Sequence, residues 1–168
     1  PYARLVRSPG IHFVDDSVPG WSVATQNLMP HAYKAGSQTQ LLKAQIEAMP
    51  EGGVFAMIAP PDPYRCPPGP YERACMVADY VRQNKPGSRV IVLDANPGIT
   101  VEPENFGTAF NETYSGIIEY YPNATVTEVD SPNRAIYTTI GHFAASVLNV
   151  IPDQQAGQIV RDIGLATA

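Results

Sequence analysis

The sequence is poor in cysteine, with only Cys66 and Cys75 among 168 residues. Two thiols build no disulfide framework, and these two match no Cys-x-x-Cys or Cys/His zinc spacing. The three histidines, His12, His31 and His142, share no ligand spacing either, so no metal is expected. Positive charge is scarce: 11 Lys and Arg against 16 Asp and Glu give a net charge of −5. Without a basic run to displace counterions, neither nucleic acid nor an anionic membrane is an expected partner. No apolar stretch approaches the ~20 residues that cross a bilayer, so no transmembrane segment is expected. No charged-then-apolar leader opens the chain, and the initiator Met is missing. The opening "PYARLVRSPGIHF" reads as a strand remnant at Leu5 and Val6 entering a Pro-Gly turn, expected to be cut from something longer.

Proline is what the chain has in excess. Its 17 prolines are about twice the usual ~5% share. Six of them, Pro60, Pro61, Pro63, Pro67, Pro68 and Pro70, crowd into "PPDPYRCPPGPYE", residues 60–72, around Cys66.

The surrounding periodicity is that of an α/β protein. In "GSQTQLLKAQIEAM", 36–49, Leu41, Leu42, Gln45, Ile46 and Met49 fall at helical spacing after a Ser37 cap and before Pro50. "VFAMIAP", 54–60, and "RVIVLDA", 89–95, are apolar runs of strand length, as in parallel strands covered on both faces. Between them Ala74, Val77, Ala78 and Val81 form a helical stripe, completing a βαβ unit whose first strand leads straight into the proline loop. Downstream the pattern predicts a helix over 106–115, a strand over 116–121, a hairpin over 124–140 turning at Ser131-Pro132-Asn133, a buried strand over 145–151 and a helix from Gln154 to Ile163. The expected fold is a Rossmann-like three-layer α/β domain, with a central parallel sheet and an antiparallel β-hairpin layer.

Nicotinamide nucleotide binding is disfavoured. A dinucleotide-binding turn is glycine-rich so that backbone N–H groups can approach a pyrophosphate, whereas prolines carry no N–H and fix φ near −65°. Asp94 ends the second strand where a ribose-binding acid would sit, but without the glycines it reads as a plain strand-end residue. A rigid loop can instead hold one side chain in place with little entropy left to lose. That side chain is Cys66, with Arg65 beside it and a helix start just after it, surroundings that attract a thiolate. Glu72, in the first helical turn, lies about 160° from the apolar stripe and faces away from the core, where a carboxylate can take up a proton. The bland alternatives are a small buried thiol and a carboxylate answering the helix dipole.

"RCPPGPYERA" (65–74), "PHAYKAG" (30–36), "IAPP" (58–61), "IVLDAN" (91–96) and "NVIPDQQAGQI" (149–159) together resemble the flavoprotein subunit of flavocytochrome c sulfide dehydrogenase. The related sulfide:quinone oxidoreductases are similar, with a less proline-rich loop. The resemblance implies that residues 1–35 are the end of an FAD-binding segment and connector, 36–152 a middle domain shaped like an NAD domain but not used for NAD, and 153–168 an exit toward a second FAD segment. It implies Ser8, Pro9, Gly10 and Pro67 as flavin contacts, and Cys66 and Glu72 as the redox cysteine and active-site carboxylate.

In the intact parent it further implies sulfide attack on a disulfide between Cys66 and a distant cysteine, giving a persulfide. Electrons then pass through FAD to haem c on a cytochrome c subunit in the periplasm. This stretch alone is expected to hold no cofactor and to be inactive. The alternatives are a fragment of a quinone-reducing relative and a non-catalytic interaction domain. Cys75 departs from the family motif, and a disulfide with Cys66 would be off-pathway.

Overall fold

A computed structural model of the chain describes residues 3–6 and 8–166. Residues 1, 2, 7, 167 and 168 of the expected flanking segments lie outside the described residues. The elements in order are β1 (Ile11–Phe13), α1 (Ser37–Ala48), β2 (Val54–Ala59), α2 (Gly69–Asn84), β3 (Arg89–Asp94) and α3 (Pro103–Thr108), followed by a π-helical turn (Ala109–Thr113). Then come β4 (Ile118–Tyr121), β5 (Val126–Asp130), β6 (Ala135–Thr138), β7 (Gly141–Ala144), β8 (Val147–Val150), β9 (Gln154–Ala156) and α4 (Gln158–Asp162).

β2, β3, β4 and β8 form a parallel sheet in the order β4-β3-β2-β8. Both faces are covered, which is why β2 and β3 have no polar side. Phe55, Met57, Val90, Val92 and Val147 pack with Leu42 and Met49 and with the Ala74, Val77, Ala78 and Val81 stripe of α2. The alternate residues Ala56, Ile58, Ile91, Leu93, Leu148 and Val150 pack with Val129 and Ile136 of the antiparallel β5-β6-β7 sheet, and with Trp21 and Met29. Each buried Val, Leu, Ile, Phe or Met among these contributes roughly 1.5–3 kcal/mol relative to exposure. The fold is therefore mixed α/β, with helices on one face of the parallel sheet and antiparallel strands on the other.

This order places the proline loop. The chain steps outward from β2 through β3 to β4, then returns to the other side of β2 as β8. Ligand crevices in open parallel sheets form at the carboxyl ends of strands where the order reverses. Residues 60–68 leave the carboxyl end of β2 at that reversal.

Several local expectations need correction. Leu5 and Val6 lie in no strand and are exposed; the first strand is Ile11–Phe13. It pairs antiparallel with Gln154–Ala156, so the expected helix from Gln154 shortens to Gln158–Asp162. The backbone groups of β1 need partners, and residues 154–156 supply them. Ser37 is not a cap but the first residue of α1, whose N-cap is Gly36 at φ 114 with no side-chain cap bond. The hairpin gains a third strand, β7, which pairs with β6. The helix expected over 106–115 starts earlier, at Pro103, and widens into the π-helical turn.

Candidate functional site

The proline loop is held from below by a buried carboxylate. Asp94, at the end of β3, is fully buried. One of its oxygens accepts the hydroxyl protons of Tyr71 and Tyr120, each at 2.8 Å. The other accepts the Asn96 backbone N–H at 2.9 Å and side-chain amide at 2.8 Å. Asn96 passes this constraint to the loop: its amide donates to the Pro60 carbonyl at 3.1 Å, and its oxygen accepts the Asp62 N–H at 3.0 Å. Burial, then the hydrogen bond to Asp94, pushes the Tyr120 phenol far up, so it stays a neutral donor. Asp94 is thus more than the plain strand-end residue of the sequence reading. Its oxygens are spent on anchoring the loop and are not open to a ribose.

Cys66 sits at the crest of this loop, exposed and unpaired, with φ +58. A non-glycine residue in that left-handed region costs of order 1 kcal/mol or more and persists only where its surroundings impose it. Here the surroundings are specific. The Cys66 carbonyl accepts the Gly69 N–H at 2.9 Å and the Tyr33 hydroxyl at 3.4 Å. The Pro67 carbonyl accepts the Tyr64 hydroxyl at 3.1 Å, and the Arg65 N–H donates to the Gln154 side chain at 2.9 Å.

A groove of about 650 Å³ runs between α1 and α2 from this point. Leu42, Ile46, Met76 and Val77 line its length, and Tyr33, Cys66, Glu72 and Arg73 also border it. The structure therefore brings the two expected catalytic residues to one cavity, with Glu72 exposed on its wall. Burial pushes the Tyr33 phenol well up, Arg73 opposes this, and Cys66 and Glu72 add to it.

Of the other expected site residues, Ser8, Pro9 and Gly10 are exposed and precede β1, while Pro67 is half-buried. Gly10 lies beside the loop, since a Cβ there would come within 4.0 Å of the Arg65 guanidinium. Cys75 forms no disulfide; it is half-buried, and burial followed by the Glu72 charge raises its thiol pKa.

Sequence reasoning missed Tyr33, Gly69 and Arg73. The Arg73 guanidinium donates to the carbonyls of His31 at 2.9 Å and Ala32 at 2.7 Å and to the Asn149 side chain at 2.8 Å, and it stacks on the Tyr33 ring at 5.3 Å. It fixes Tyr33 over the Cys66 loop. Both residues stand inside the quoted motifs "PHAYKAG" and "RCPPGPYERA", which was the available signal.

An anchored, proline-stiffened loop thus presents a free thiol to a groove that Glu72 also lines, at the reversal point of a parallel sheet that lacks a phosphate-binding turn after β2. Residues 39–152, more than half of the chain, match the family model described as sulfide dehydrogenase (flavocytochrome c) flavoprotein chain, central, and the chain belongs to that family.

Proposed function

We propose that this chain forms the sulfur-handling wall of a flavin-dependent sulfide dehydrogenase, with Cys66 as its redox thiol and Glu72 as its proton-handling carboxylate. The observation that carries this reading is the exposed Cys66 in a left-handed conformation, sharing a groove with Glu72. A buried structural thiol needs neither the strain nor the anchoring.

Family membership implies FAD in the parent flavoprotein. The residues fit one side of such a site. The Pro9–Gly10 turn is exposed, Gly10 has φ +76, and, chain neighbours aside, only the Arg65 guanidinium among the described residues comes within 4.0 Å of where its Cβ would be. A flat ring could lie there against backbone, with Ser8, Pro9, Gly10 and Pro67 as contacts. FAD, when bound, supplies a two-electron acceptor for the thiolate. The family's name implies a cytochrome c partner, and haem c on that partner and the periplasm belong to the same proposal.

This chain's own residues do the following. Hydrosulfide attacks a disulfide joining Cys66 to a cysteine elsewhere in the parent. One S–S bond breaks and one forms, leaving a persulfide on the second cysteine and releasing Cys66 as thiolate. Glu72 takes the persulfide proton. The loop keeps the Cys66 sulfur in one position throughout, which is the protein's share of such a reaction.

Segments 1–35, 36–152 and 153–168 keep their proposed roles as entry, inserted domain and exit. The β1–β9 pairing supports this, because it sets the incoming and outgoing chain side by side. The layer order supports a Rossmann-like description. The 168-residue chain by itself is expected to bind neither FAD nor NADH.

The test is Cys66→Ser in the intact flavoprotein. Sulfide-dependent cytochrome c reduction should be lost while the flavin spectrum is kept. Retained turnover would overturn the assignment, and turnover with quinone in place of cytochrome c would favour the quinone-reducing alternative.

A further inference from the structure

A second cavity lies away from Cys66, where β1, the connector after it and the start of α1 meet. It measures about 570 Å³, and His31, Lys34, Ser37 and Gln38 are among its lining. α1 is 12 residues long, with no acidic residue in its first turn and no side-chain cap. The Thr39 and Gln40 N–H groups turn back to the Gly36 carbonyl, but those of Ser37 and Gln38 have no acceptor among the described residues. Free N–H groups and the positive end of the helix dipole therefore face this cavity.

The independent observation is His31. Its residue is only 3% exposed. Its Nδ1 accepts the Tyr33 N–H at 3.0 Å, which puts the ring proton on Nε2. Nε2–H has no partner among the described residues. The ring lies against Phe13 and Trp21, two further walls of the same cavity, with centroids at 4.3 and 6.4 Å. Nε2 is not wholly sealed from solvent, so this donor opens onto the cavity, where a ligand can replace water as its acceptor. The Lys34 ammonium, 5.1 Å above the Phe13 ring, brings a positive charge to the same place.

We propose that this cavity binds a small tetrahedral oxyanion, of the phosphate or sulfate class, through the His31 Nε2–H, the Lys34 ammonium and the Ser37 and Gln38 backbone N–H groups. His12 and Asp15 also line it. One Asp15 oxygen accepts the Val23 N–H at 3.2 Å, and its charge opposes the anion. The site owes nothing to Cys66 or to a flavin, so it stands or falls apart from the proposed redox function.

The experiment is an NMR titration of the ¹⁵N-labelled 168-residue chain with sodium phosphate and, separately, sodium sulfate, with sodium chloride at matched ionic strength as control. Saturable shifts centred on the Ser37 and Gln38 amides and the His31 ring are expected, with a Kd on the order of 1 mM. Lys34 is exposed, so Lys34→Gln leaves the fold intact and should weaken binding about two- to five-fold. Asp15→Asn should tighten it. The preference between the two anions separates a phosphoryl ligand from a sulfur oxyanion. Shifts that chloride reproduces, that fail to saturate, or that Lys34→Gln leaves unchanged would overturn the proposal.

Discussion

The Tyr33 hydroxyl donates to the Cys66 carbonyl at 3.4 Å, and this approach depends on a missing side chain at Gly69. A Cβ at Gly69 would stand 2.8 Å from the Tyr33 oxygen and 3.3 Å from the Cys66 sulfur. The two residues that border the groove are thus spaced by the glycine inside the quoted motif "RCPPGPYERA".

Gly69→Ala is expected to push the Tyr33 ring aside at little cost in stability. The nearest atom is the tip of a side chain, and alanine gains up to about 1 kcal/mol over glycine in a helix. The unfolding midpoint should move little. Iodoacetamide should react faster with Cys66, because the loop has lost an anchor. Tyr33→Phe should reproduce the second effect, and unchanged Cys66 reactivity in both variants would remove Tyr33 from the site.

In the native chain Cys66 should be alkylated before Cys75. Cys66 is exposed, whereas Cys75 is half-buried with its thiol pKa raised first by burial and then by Glu72. Glu72→Gln removes that second influence, lowers the Cys75 pKa and should speed its alkylation at fixed neutral pH. Peptide mapping of a time course reads both. Protection of Cys66 until denaturation would make it a core thiol and remove the support for a redox role.

Asp94→Asn should cost about 2–4 kcal/mol in urea unfolding. The amide replaces a fully buried carboxylate that accepts from Tyr71, Tyr120 and Asn96. Because Asn96 carries the constraint to Pro60 and Asp62, the variant should also raise amide exchange at Asp62, Tyr64 and Arg65. A stability loss under 1 kcal/mol would show that the loop stands without this network.

Stability should fall as the solution is acidified through the histidine range. Burial, with Lys34 and then Arg73 adding, lowers the His31 pKa from 6.5 to about 4. Above pH 6.5 the ring is neutral in both folded and unfolded chains and costs nothing. Below it the unfolded chain takes the proton first, so stability declines down to about pH 4 and then levels, by roughly 3 kcal/mol at most. Urea midpoints from pH 7 to 4 measure the decline, and an NMR titration of the His31 ring locates its cause.

The sequence by itself determined the elements whose burial is local in register. The apolar runs at 54–59 and 89–94, short and bounded by Gly or Pro, carry the pattern of strands covered on both faces, and Ala74, Val77, Ala78 and Val81 place one face of α2 on them. It also determined that a thiol stands in a loop too poor in N–H groups to cradle a phosphate. Tertiary structure decided everything that depends on partners distant in the chain. Residues 154–156 are strand and not helix because β1, more than 100 residues earlier, offers unpaired backbone. Arg73 fixes Tyr33 through the carbonyls of His31 and Ala32 and through Asn149, and Asp94 serves the loop through Asn96. A hydrogen bond depends on distance and direction in space, and neither is written in sequence spacing once a chain has turned back on itself.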